Sequence, residues 1–303
     1  MAALRSFGRI FRNSLYSCRN LIVSRYSSTK VDSDELSETN SQDLVVVEKF
    51  GKLYSIGLNR PEKRNCLNRE TVRHLLDALK TFDEDNSAYA AVIYGKGGNF
   101  CAGYDLTEFV SSGINDSDLK FSSMGLPRTL SKKPVVAAIS GYAVAGGLEL
   151  ALMCDLRVME ETAIVGVYCR RFGIPLTDGG TVRLPKLIGL SRAMDMILTG
   201  RSVNAKEAFQ WGLANYIVSC GTALGNAIKV ANSLVKFPQK CLRTDMASAY
   251  YAAFDAKSME DAFRYEFENG KDVIGEESIA GAQKFIEGVG RHGKFHWMKI
   301  YNS

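Results

Sequence analysis

The chain has 303 residues, an apolar fraction of 46% and a formal net charge of +5, room for one large domain or two small ones with a sizeable core. No apolar run approaches the roughly 20 residues of a membrane span. The basic excess belongs to the first 30 residues, which hold Arg5, Arg9, Arg12, Arg19, Arg25 and Lys30 and no acid, leaving 32 of the 38 basic residues to face 33 acidic ones; such a body has no charge bias toward nucleic acid or another polyanion.

The leader also carries Leu4, Phe7, Ile10, Phe11 and Leu15 at helical spacing, interleaved with its arginines. Amphipathic, arginine-rich, serine-containing and acid-free sequence predicts a mitochondrial transit peptide over residues 1–30, cut near Arg25–Ser28. Arginines interrupt the continuous apolar centre that a secretory signal needs. Residues 31–43 (VDSDELSETNSQD) read as a polar linker. Of seven cysteines, Cys18 is in the leader; Cys66, Cys101, Cys154, Cys169, Cys220 and Cys241 are scattered, with no CxxC pair. Neither disulfides nor a metal site is expected, which fits the reducing mitochondrial matrix.

In chain order, Leu44–Phe50 and Leu53–Leu58 predict a hairpin about Gly51. A polar loop (NRPEKRNCLN) follows, and Asn68 is placed to cap a helix whose Val72, Leu75, Leu76, Leu79 and Phe82 share one face. Ala90–Tyr94, Pro134–Ser140 and Leu156–Met159 read as buried strands. The first of these leads into the glycine-rich stretch GKGGNFCAGYDL, and the second into GYAVAGGLELALMCD. Beyond Asn204 the chain is mostly helical: AKEAFQWGLANYIV gives a helix and a short strand, and residues 222–288 several helices. Alternating strands and helices place the chain in the α/β class, with a weak strand–strand–helix recurrence.

The chemistry concentrates in two glycine segments. Gly103–Tyr104 and Gly146–Gly147 each follow a strand, and the second pair opens a helix, where free N–H groups favour developing negative charge. Two such donors on neighbouring loops would form an oxyanion hole. Glu149 lies one turn inside that otherwise apolar helix. A buried carboxylate is costly unless satisfied or neutral, so Glu149 is either a hydrogen-bonded core residue or a general acid/base with a raised pKa.

Gly141–Asp155, FCAGYDL before it and DGGTVRLPKLIG after it resemble the crotonase (enoyl-CoA hydratase/isomerase) family. So do LNRP at Leu58–Pro61, TGRSVNAKEAFQWGLAN and the closing AGAQKFIEG. The resemblance implies a crotonase-like spiral of strand–strand–helix repeats over residues 44–220 and a helical oligomerisation region over 221–303. It also implies a homotrimer or dimer of trimers, and an acyl-CoA thioester as substrate with no further cofactor. By position, the N–H groups of Tyr104 and Gly146 would hold the thioester oxygen, and Glu149 would be the first catalytic glutamate. Lys63 and Arg64 would border the CoA nucleotide, and Ala102, Asp105 and Leu106 would line the substrate site.

The sequence departs from the hydratase pattern at the second glutamate, which, counting back from GGTVRL, is Cys169. A thiol, with a reference pKa near ~8.5, is a poorer proton carrier there, although Arg170 and Arg171 could lower it; the other reading is an inert core cysteine. The two arginines themselves are expected to form salt bridges. Asp178 is either a second acid/base or the cap of the helix after Gly179–Gly180. The resemblance implies hydratase-type addition or elimination of water on a 2-enoyl-CoA through an enolate held in the oxyanion hole; the alternatives are isomerase or decarboxylase chemistry, or a CoA-ester-binding protein without turnover. One family branch binds RNA through a lysine-rich helix, but the matching stretch here (ETVRHLLDALKTFDEDN) has five acids against Arg73 and Lys80, which would repel phosphate. Phe109–Met124 is expected to line the acyl pocket, and His292 and His296 match no metal spacing.

Overall fold

The computed structural model describes residues 43–112 and 131–291. The leader, nearly all of the linker, most of Phe109–Met124 and both His292 and His296 lie outside the described residues. Among the described residues, nine strands form two sheets. The larger has the order β1 (Val45–Phe50), β2 (Leu53–Leu58), β3 (Ala90–Gly95), β4 (Val135–Ile139), β6 (Leu156–Glu160), β9 (Tyr216–Val218). Its first pair is antiparallel, with Phe50 opposite Leu53 across the expected hairpin, and every other pair is parallel. The smaller sheet joins β5 (Tyr142–Val144), β7 (Ile164–Gly166) and β8 (Val203–Asn204).

Both faces of the larger sheet are covered, so its central strands read as apolar runs. Alternation still sorts their side chains. Ala91 and Ile93 of β3 and Val135, Ala137 and Ile139 of β4 enter the main core. Ala90, Val92, Val136 and Ala138 face a second core, closed by Ala223, Ala227, Val230 and Ala231 of helix α7 (Ala223–Leu234). Helix α1 (Arg69–Glu84) buries Val72, Leu75, Leu79 and Phe82 in the main core, and its Asn68 cap accepts a 2.9 Å bond from the Thr71 N–H.

The recurrence that was faint in the sequence is a spiral. Each turn contributes a strand to the larger sheet, a short extended segment beside it and then a helix. The third and fourth turns run β4–β5–α3 (Gly146–Met153) and β6–β7–α4 (Gly180–Ile188). The first two turns supply single bridging residues, Leu67 paired with Tyr104 and Cys101 paired with Ala143. They lead into α1 and α2 (Leu106–Ser112). After α4 come α5 (Leu190–Thr199), α6 (Ala205–Gln210), α7, α8 (Gln239–Phe254), α9 (Met259–Val273) and α10 (Ile279–Ile286). Periodicity did not find β5, β7 and β8, because two or three residues are too few to show a period.

Candidate active site

Backbone contacts lock the two glycine segments together. The Cys101 N–H donates to Tyr142 O at 2.9 Å, and the Val144 N–H donates to Cys101 O at 3.1 Å. Side chains are excluded where the loops meet: a Cβ on Gly147 would lie 2.1 Å from Cys101 O, and one on Gly103 3.0 Å from Ala145 Cβ. Ala145 adopts φ 53°, ψ −126°, a region that costs a non-glycine residue about 1–3 kcal/mol. Its N–H donates to Gly166 O at 2.9 Å, and its carbonyl accepts from Leu148 and Glu149. The strained turn sets Gly146 as the first residue of α3, where an N–H has no acceptor within the helix. Among the described residues, neither the Gly146 N–H nor the Tyr104 N–H donates to a protein acceptor.

All of α3 is buried, Glu149 included, at 3% exposure. Its Oε1 accepts from the N–H groups of Asp178 and Gly180, each at 2.9 Å, so it closes the N-terminus of α4 from another turn of the spiral. Gly180 is needed for that approach, since a Cβ there would lie 2.9 Å from Oε1. The second oxygen, Oε2, accepts no hydrogen bond from a described residue. Burial pushes the carboxyl up to about 7; the Gly180 N–H opposes the rise and the Asp178 charge adds to it. The two readings of Glu149 therefore meet in one residue: one oxygen is satisfied, and burial holds the group where it titrates near neutrality.

Asp178 is 2% exposed. It does not cap α4, whose N-cap residue Gly179 lies in the left-handed region with no side-chain cap. Instead its Oδ2 accepts from the Tyr104 hydroxyl, and its carbonyl oxygen accepts from Arg183 Nη1 at 3.0 Å. The Tyr104 ring lies against Gly146, where a Cβ would meet Tyr104 Cε2 at 2.9 Å. Burial, and then the Asp178 charge, push the phenol well above its ordinary pKa, so it stays a donor. Sequence reasoning assigned Tyr104 only its backbone N–H. The phenol and Asp178 are 74 residues apart, and nothing local signals their contact.

Cys169 is buried in the turn Tyr168–Phe172. Burial and the Glu149 charge raise its thiol, and the charge of Arg170 is the smallest opposing effect. The arginines therefore do not make it a thiolate. Nor does either form an ion pair with a described carboxylate. Arg170 Nε donates to Ile197 O and Arg171 Nε to Gly200 O, satisfying carbonyls at the end of α5. Arg171 also stacks on the Tyr168 ring at 3.6 Å.

Lys63 and Arg64 are exposed on a loop next to the oxyanion segments; Arg64 O accepts from the Ala102 N–H at 3.0 Å. Buried Asn65, which sequence reasoning missed, holds that loop: Nδ2 donates to Lys96 O and Asn99 O, and Oδ1 accepts from the Arg60 N–H. Ala102 is half-buried and Leu106 is exposed at the start of α2. The Asp105 carboxylate is engaged by Arg60 Nη2 at 2.8 Å and by the Thr107 N–H.

This arrangement has close counterparts. The family model described as enoyl-CoA hydratase/isomerase matches residues 48–299. A mevalonyl-coenzyme A hydratase of Aspergillus fumigatus is 33% identical over 235 residues, covering 76% of this chain and 87% of that protein. A Dictyostelium discoideum protein named "Probable enoyl-CoA hydratase, mitochondrial" is 32% identical over 244 residues, covering 79% and 87%. The crystal structure of an enoyl-CoA hydratase from Mycobacterium tuberculosis H37Rv superposes with a TM-score of 0.75 at 31% identity, over 80% of this chain and 96% of that one. With its glycine loops, buried glutamate and spiral all accounted for, the chain belongs to the enoyl-CoA hydratase/isomerase family.

Proposed function

We infer that this protein is an acyl-CoA lyase that adds water across the double bond of a 2-enoyl-CoA. The observation that carries the reading is Glu149: a buried carboxyl raised to about 7, held by two backbone N–H groups on a helix whose first N–H is uncommitted. The thioester oxygen accepts from Tyr104 N–H and Gly146 N–H, which draws electron density from the conjugated double bond. Water oxygen bonds to Cβ, the π pair moves toward the thioester oxygen as an enolate, and one carboxylate takes the water proton. The enolate collapses as Cα takes a proton from the other carboxyl group. Glu149 and Asp178 are those two groups, sharing one proton between them.

CoA enters as part of the substrate, and the reaction needs no other cofactor. Lys63 and Arg64 face the nucleotide, while Ala102, Asp105 and Leu106 border the substrate channel. The charge and spacing of the leader support import into the mitochondrial matrix, as does the Dictyostelium relative's name. Met259, Phe263, Phe267, Ile279, Phe285 and Ile286 of the C-terminal helices are exposed. Apolar residues left uncovered on that scale support assembly into a trimer or a dimer of trimers. A second reading, a CoA-ester binder without turnover, is favoured by the neutral thiol at Cys169.

The test follows loss of the conjugated-thioester absorbance of short and medium 2-enoyl-CoA esters, with Glu149→Gln run beside wild type. Loss of signal that depends on Glu149 is expected. CoA-ester binding with no absorbance change would move the assignment to the binder.

A further inference from the structure

The departure at Cys169 leaves one catalytic position without a carboxyl group, and the structure places another carboxyl-bearing residue, Asp178, next to Glu149. Asp178 is buried, its own N–H is bonded to Glu149 Oε1 at 2.9 Å, and its side chain receives the Tyr104 hydroxyl. Tyr104 is fixed at both ends. Its backbone leaves the loop paired with Leu67, its ring lies on Gly146, and its hydroxyl reaches Asp178. The phenol thus spans the distance from the oxyanion donors to the second carboxyl group. We propose that the Tyr104 side chain is a positioning residue, which holds the Asp178 carboxylate beside Glu149 so that Asp178 serves in place of the absent second glutamate. This rests on the hydration reading above.

Three observations favour this over a packing role. First, a buried carboxylate has several rotamers, and the acceptor oxygen of Asp178 is fixed by a donor from a different turn of the spiral. Second, the phenol cannot exchange roles with the carboxylate, because burial and the aspartate charge keep its proton on; it orients and does not transfer. Third, the competing group, the Cys169 thiol, is raised by burial and by Glu149 and offers no charge at neutral pH. Tyr104, Glu149 and Arg183 each interact electrostatically with Asp178, and of these Tyr104 is the one whose side chain donates to its carboxylate.

Tyr104→Phe keeps the ring against Gly146 and deletes only the hydroxyl. A hydrogen bond to a charged group lost in this way lowers kcat about tenfold to a hundredfold, with KM within about twofold because CoA binding is untouched. In a Tyr104→Phe/Asp178→Asn double variant, the tyrosine change should cost nothing beyond Asp178→Asn alone. Wild-type kcat in Tyr104→Phe, or losses that multiply in the double variant, would overturn the assignment while Glu149→Gln still shows the hydration reading to stand. A wild-type protein with no turnover would overturn both together.

Discussion

Glu149 ties the chemistry of the site to the stability of the fold. In an unfolded chain its carboxyl has an ordinary value of 4.5, and burial raises it to about 7 in the folded protein. Between these values the folded state holds a proton that the unfolded chain has released. The contribution to stability is therefore complete below the lower value and is lost as pH rises through the upper one. Glutamine keeps an oxygen for the Asp178 and Gly180 N–H groups but cannot ionise. Glu149→Gln should match wild type near about pH 4 and exceed it by roughly 1–3 kcal/mol near about pH 8 in urea unfolding. A variant less stable at both values would show that the carboxylate itself is required by the fold. Its oddity in an apolar helix was legible from sequence. The partners that satisfy it were not, since they lie at the N-terminus of α4 and just before it, 29 and 31 residues away.

At the scale of elements, the site depends on how closely two loops approach. Gly147 is tightly held between them, since a Cβ would sit 2.1 Å from a backbone oxygen that is itself bonded to Val144. Gly147→Ala must separate the loops, and it should cost at least about 2 kcal/mol in chemical unfolding and most of the turnover. Gly225, exposed on α7 with nothing within 4 Å of an added Cβ, is the contrast. Gly225→Ala should stabilise by about 0.5–1 kcal/mol with activity unchanged. Equal effects at the two positions would remove close approach as the explanation. Glycines in these loops were visible as turns in the sequence, but Ala145, which carries the positive φ before Gly146, was not. Alanine has no preference for that conformation, and only the β5–β7 pairing beside it explains how it is held.

At the scale of the molecule, the described residues wind as a spiral and leave apolar residues uncovered on the C-terminal helices. Light scattering on protein lacking the first 30 residues should give three or six times the chain mass, and a monomer would sink the assembly proposed here. A fluorescent reporter carrying residues 1–30 should enter mitochondria, and a cytosolic reporter would sink the import reading. Helix α7, the first helix beyond residue 220, closes the second core on the larger sheet.

By itself, the sequence determined the α/β class, the hairpin, the cap at Asn68, the apolar face of α1 and the carboxylate that breaks the pattern of α3. Each of these is a local fact: a period, a cap or a residue out of place among near neighbours. Only the tertiary structure decided that Asp178 turns to Tyr104 rather than capping α4, that Arg170 and Arg171 serve carbonyls rather than acids, and that Glu149 closes a helix from another turn. The physical reason is the same in each case. A buried polar group takes whichever donor or acceptor the fold brings within about 3 Å, and a spiral brings together residues tens of positions apart.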